Sequence, residues 1–243
     1  MTSAPSPDAW RKESEQKHMR FISLTWTDGL SQTDAILVVR TVHEAILQAR
    51  QQWPVRGNII EVPEIKPFGY WVLQGVEPDQ VYGSMEWYIN KSFDQESQQL
   101  LGRRYLQLVL DEPWQHQTPH YDLAVVHQPL FDEVDQHSVF GSAVRGRAAV
   151  LSVYPLHALE EGTQRHRVLR RLVAHYFGQV MGIPIPGWRE QAQCLSPCAM
   201  RSASSLAEWV ERVEEESRIK VLYCQDCQCE LSARLTSNHF GMN

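Results

Sequence analysis

All five cysteines of this 243-residue chain lie between positions 194 and 229, and the first 193 residues hold none. A disulfide framework would spread its cysteines along the chain. Here Cys194-x-x-x-Cys198, a gap of 25 residues and Cys224-x-x-Cys227 set two tight pairs where a single ion can gather them. Thiolates are soft ligands, and four of them around a tetrahedral ion make a closed structural zinc site. The spacing therefore predicts one structural zinc held by Cys194, Cys198, Cys224 and Cys227. Cys229 is left over, either as a spare thiol or as a substitute for Cys227. Free, unrelated thiols are the alternative.

Thiols kept for metal imply a reducing compartment. No apolar run approaches the ~20 residues that span a bilayer, and residues 1–18 are polar, with Pro5, Pro7 and no signal-peptide core. The expectation is a cytoplasmic protein with a mobile N-terminal tail and no membrane partner. A net charge of -6 at neutral pH argues against nucleic acid, because phosphate-backbone binding needs a basic face.

Along the chain, residues 21–26 read as a strand and Ser31-Gln-Thr-Asp34 as a capping box opening a helix up to Trp53. Residues 57–62 read as a second strand, so the chain opens in α/β fashion. Residues 70–73 are compatible with a strand, and 98–110 with a helix despite Gly102. Two buried strands follow at 122–127 and 147–153, the latter entered through the stretch 140–146. Thr163 is in position to cap a helix ending at Gly182 and Pro184, and Ser205 with Glu208 forms a capping box for a last helix. Tyr70, Trp71, Trp87, Tyr88, Trp114 and Trp188 fall in loop-like stretches.

The helix at 163–182 carries the most specific pattern. The peptidase motif H-E-x-x-H-x-x-G-x-x-H places two His one turn apart on zinc, a Glu on the bound water and a third His beyond a Gly turn. His175 and Gly182 fit that pattern. Tyr176 stands at the Glu position, Gln179 at the second His and Ile185 at the third. Together with Cys198-Ala-Met200, Tyr223-Cys-Gln-Asp-Cys227 and the strand-like segments around Phe140 and Val150, these residues resemble the archaemetzincins. The resemblance is specific over 121–231. It implies a small zinc-peptidase scaffold with a catalytic site on this helix, a Met beneath it at Met200 and a second, four-cysteine structural zinc. In that family the first structural Cys directly follows the third His. Pro186 occupies that place here, so Cys194 must arrive by an altered loop.

His175 alone cannot hold zinc, since a catalytic site needs about three protein ligands. Tyr176, with a phenol pKa near 10, cannot collect a water proton at neutral pH. His175 is then a helix-edge histidine bonded to backbone or to Gln179, and Met200 a core filler. His157 and His166 could in principle be recruited; His166 is too far along the helix to share an ion with His175. Trp188 marks the old cleft.

The reading is an α/β protein with one metzincin-like domain at 19–235 and a mixed sheet packed with helices. It comprises a degenerate active-site helix at 163–182, a zinc-stapled segment at 194–229 and tails at 1–18 and 236–243. It would be a pseudopeptidase that binds an unknown protein or peptide, with one structural zinc and no catalytic zinc. An active metallopeptidase with rearranged ligands is the second reading, and a zinc-dependent nucleic-acid binder the third.

Overall fold

A computed structural model describes residues 20–52, 63–134, 137–184, 194, 196–216 and 221–237. The expected N-terminal tail, residues 238–243, the strand at 57–62, and Trp53, Ile185, Pro186 and Trp188 lie outside the described residues, whereas 236 and 237, expected in the C-terminal tail, end the last helix.

Strand β1 (Ile22–Trp26) leads into helix α1 (Gln32–Gln52), β2 (Ile65–Gly69) and α2 (Met85–Ser92). Then come β3 (Phe93–Asp94), β4 (Gln99–Leu101), α3 (Gly102–Leu110), α4 (Pro113–Gln117) and β5 (Tyr121–Val126). β6 (Leu130–Asp132), β7 (His137–Val139), β8 (Gly141–Val144) and β9 (Ala148–Ser152) follow, then a 3-10 turn at Tyr154–Ala158. The chain closes with α5 (Thr163–Val180), α6 (Leu206–Glu216) and α7 (Gln225–Ser237).

The main sheet has the order β2-β1-β5-β9-β8, with β8 antiparallel to β9 and the other pairs parallel. Strands β3, β4, β6 and β7 make a second, smaller sheet. Every residue of β5 is buried, which a strand covered on both faces requires. Leu123 and Val125 point to one side, where Leu24 and Leu151 join residues of α1, α5, α6 and α7. Ala124 and Val126 point to the other, against Tyr105 and Leu106 of α3 and Met85 and Tyr88 of α2. Two cores thus lie on opposite faces of one sheet.

Helix α1 begins as expected, with Ser31 Oγ accepting from the Asp34 N–H at 3.1 Å. The Asp34 carboxylate also receives both terminal nitrogens of buried Arg165, at 2.7 and 3.3 Å, tying the start of α1 to that of α5. Helix α5 ends in a Schellman motif. Gly182, at φ 81, donates to Gln179 O, and Ile183 N to Gly178 O, both at 2.9 Å.

Four expectations need correction. Thr163 lies inside the first turn of α5; its cap is Gly162, without a side-chain bond. The 98–110 helix begins only at Gly102, because Leu100 and Leu101 pair with β6 and tertiary pairing overrides their helix propensity. Residues 70–73 give a lone bridge from Val72 to Ser84, since the backbone turns at Gly69, φ 64. By contrast, the strand-like segment around Phe140 does form a strand, β8, turned back onto β9 at Gly146. The helix from Ser205 is not the last: α7 follows it.

The aromatic residues also change place. Trp87 and Tyr88 sit in α2 and Trp114 in α4, where with Trp71 and Tyr82 they pack in edge-to-face and tilted pairs. Among the described residues, no helix is long and apolar enough to cross a membrane.

β8 must pass close over α5, and Gly141 permits it. A Cβ there would collide with the Tyr176 ring and lie 2.7 Å from the Val150 carbonyl oxygen. Gly141→Ala is therefore expected to lower stability by about 1–3 kcal/mol, as overpacking does, measured by denaturant unfolding.

Candidate metal centre and the helix beside it

Arg171, His175 and Gln179 follow one another at single turns along α5. All three reach toward the segment after the helix. Buried Arg171 donates to the carbonyls of Cys198 and Arg201, each at 2.9 Å, and forms an ion pair with Glu216 of α6. His175, also buried, has Nδ1 2.9 Å from the Ala199 carbonyl oxygen and Nε2 2.7 Å from Gln179 Nε2. A carbonyl only accepts and an amide nitrogen only donates, so this network assigns the proton to Nδ1 and uses the Nε2 lone pair. The Trp209 ring stands edge-on to the imidazole, centroids 5.4 Å apart. Burial lowers the His175 pKa to about 4 against the opposing bond to Ala199, with Arg171 adding to the fall, so the ring is neutral at physiological pH.

Tyr176 turns away from this line into the core against Gly141, and burial pushes its phenol well above the usual range. Met200 packs where Gly178 leaves room: a Cβ at 178 would collide with its Sδ. Neither His157 nor His166 approaches His175. His157 stacks edge-on with Tyr154, and His166 faces Asp34 at 4.0 Å. Among the described residues, no His, Cys, Asp or Glu joins His175 in a group of three suited to an ion.

The cysteines do come together. The sulfurs of Cys194, Cys198, Cys224 and Cys227 all lie within 4.8 Å of one another. Cys194 and Cys224 are 3.6 Å apart and Cys198 and Cys227 3.7 Å, too far for disulfides near 2.05 Å. A tetrahedral zinc with Zn–S bonds of about 2.3 Å sets its sulfurs roughly 3.8 Å apart, so the cluster fits that ion. Cys198 Sγ also accepts the Met200 N–H at 3.3 Å, the kind of outer contact that steadies a thiolate ligand. Hydrogen bonds with Cys198, Cys224 and Cys227 drive the Cys194 thiol far below its usual range, while those with Cys194, Cys198 and Cys224 drive Cys227 far above it. Cys224 is lowered as well, to about 6, while Cys198 is raised, so Cys194 and Cys224 give up their protons more readily than their two neighbours, and a dication could bind all four as thiolates. Cys229 is not part of the group.

Sequence reasoning passed over a second constellation, Glu112, His120 and Asp122, on the opposite face of the sheet. His120 and Asp122 alternate at the start of β5, so a period-of-two reading puts both on one face.

The fold and the cluster together define a mixed α/β protein with a four-cysteine group near its C-terminus that could hold zinc. No protein-family model matches the chain, and no curated protein sequence matches it. Solved structures do. It is similar to the archaemetzincin of Methanopyrus kandleri at 17% identity and TM-score 0.56, over 90% of this chain and 98% of that one. It is also similar to the archaemetzincin of Archaeoglobus fulgidus, solved with malonate, at 16% identity and TM-score 0.54, over 86% and 98%. The fold is archaemetzincin-like.

Two measurements follow from this geometry. Cys224→Ser should lose one zinc per chain and expose residues 194–237 to proteolysis, because metal binding at such a site is folding free energy. The folded pKa of His175 lies below its unfolded 6.5, so the unfolded chain takes up the extra proton and stability drains as pH falls from about 6.5 toward 4. His175→Gln should remove that component, on the order of 3 kcal/mol, when unfolding of variant and parent is compared across the interval.

Proposed function

We propose that this protein is a pseudopeptidase: a single archaemetzincin-like domain at 19–235, held by one structural zinc on Cys194, Cys198, Cys224 and Cys227, that acts by binding. The observation that carries this reading is the occupation of both His175 ring nitrogens, by Ala199 and Gln179, under the Trp209 ring. Zinc needs an imidazole lone pair, and this one is already engaged. The donor set around His175 does not fit a catalytic ion, and Tyr176, buried and held protonated, cannot act as general base.

The candidate binding surface is a cleft of about 570 Å³ beside α5, lined by Tyr176, Gln179, Ser142, Arg103, Arg147 and Asp132. Such a mixed-charge concavity suits a polar peptide or a partner's loop. The compartment proposed for it is the cytoplasm, where the thiols stay reduced.

His175→Ala is expected to leave zinc content unchanged, measured by elemental analysis, and neither parent nor variant should cleave a peptide library. Chelator-sensitive cleavage by the parent, lost in His175→Ala, would establish the metallopeptidase reading instead. Installing Tyr176→Glu, Gln179→His and Ile185→His together should add a zinc that the parent lacks at this helix, provided the old geometry persists.

A further inference from the structure

Across the sheet from α5, three titratable side chains meet at the wall of a cavity of about 590 Å³. Phe21, Phe68, Trp71, Tyr88, Tyr105 and Trp114 give that chamber an aromatic lining. Glu112, His120 and Asp122 are 4%, 7% and 8% exposed, and all three line it. Buried carboxylates need partners, and here each group is held by a bond to a different neighbour. His120 Nδ1 lies 2.8 Å from the Thr118 carbonyl oxygen, which places a proton on Nδ1 and directs Nε2 inward. The ring is fixed further by stacking on Phe21, centroids 4.5 Å apart and planes within 8°. Tyr88 donates to Glu112 Oε2 at 2.7 Å, and the Gln115 amide donates to Asp122 Oδ2.

Glu112 Oε1 is left over. It is buried without a hydrogen-bond partner and faces His120 Nε2 at 3.4 Å. Asp122 Oδ2 stands at the same 3.4 Å from that nitrogen. Charge-assisted hydrogen bonds are tighter, about 2.7–2.9 Å. Donors on a tetrahedral ion with bonds of about 2.1 Å lie roughly 3.4 Å apart.

We propose that Glu112, His120 and Asp122 form a metal site for a divalent transition ion such as zinc, separate from the cysteine cluster and from His175. One imidazole and two carboxylates are borderline-to-hard donors suited to zinc, cobalt or manganese. The carbonyl on Nδ1, the phenol on Glu112 and the amide on Asp122 are the outer bonds that orient such ligands. The aromatic chamber supplies the entry path. The competing occupant is a proton. Burial disfavours a charged His120, but the facing carboxylates of Asp122 and Glu112 outweigh it and push the ring up to about 10, so a bare imidazolium between two carboxylates is the alternative.

Cobalt separates the two. The full chain, with zinc in its cysteine cluster, is titrated with Co²⁺ by calorimetry and visible absorption. The expected result is one further ion per chain with ligand-field bands of a nitrogen and oxygen site and no thiolate charge transfer. Glu112→Gln and His120→Gln should each weaken that binding at least about tenfold, whereas His175→Ala leaves it unchanged. Absence of a further ion, or undiminished affinity in both folded variants, would overturn the proposal in favour of the imidazolium. If neither variant folds, Tyr88→Phe, which removes only a hydroxyl, decides: weaker cobalt binding supports the site, and unchanged binding overturns it.

Discussion

Four thiols gathered within one small volume suit a dication that replaces their protons, and the C-terminal third converges on that group. Cys194 and Cys198 come from the segment after α5, while Cys224 and Cys227 stand at the threshold of α7. Gathering them closes a loop of some thirty residues, together with the bond from Ala199 N to Leu222 O at 2.9 Å. The same short segment is gripped from the other side by α5, through Arg171 on two carbonyls and His175 on a third. Sulfur and helix thus hold one stretch of backbone between them.

That double hold gives His175 a structural part to play. His175 is the bridge from the helix to the cysteine-bearing segment, and its neutral ring supplies one donor and one acceptor in a dry environment. Gln179, at the position a second histidine takes in the peptidase motif, completes the pair as a donor. Trp209 closes over the ring and against Phe140, filling space with apolar surface. The side chains at this end of α5 form a consistent structural set.

Much of this was legible from the residues. The cysteine spacing located the cluster without its geometry, and the alternative of backbone or Gln179 as the partner of His175 resolves into both at once. The β-strands buried on both faces, β5 and β9, announced themselves as apolar runs. What failed was governed by pairing between distant segments. Leu100 and Leu101 carry a helical pattern yet join a strand because β6 lies beside them, and nothing local to 98–110 records that. Likewise Glu112 and His120 are joined by the turn of α4, which brings together groups that no fixed-spacing motif links.

The central sheet separates two neighbourhoods that share strands but almost no side chains, since successive residues of β5 and β9 face opposite ways. Substitutions on one side are then close to additive with those on the other. Residues beneath α5 can therefore change without disturbing the packing of the far hemisphere, and the two halves are free to vary independently.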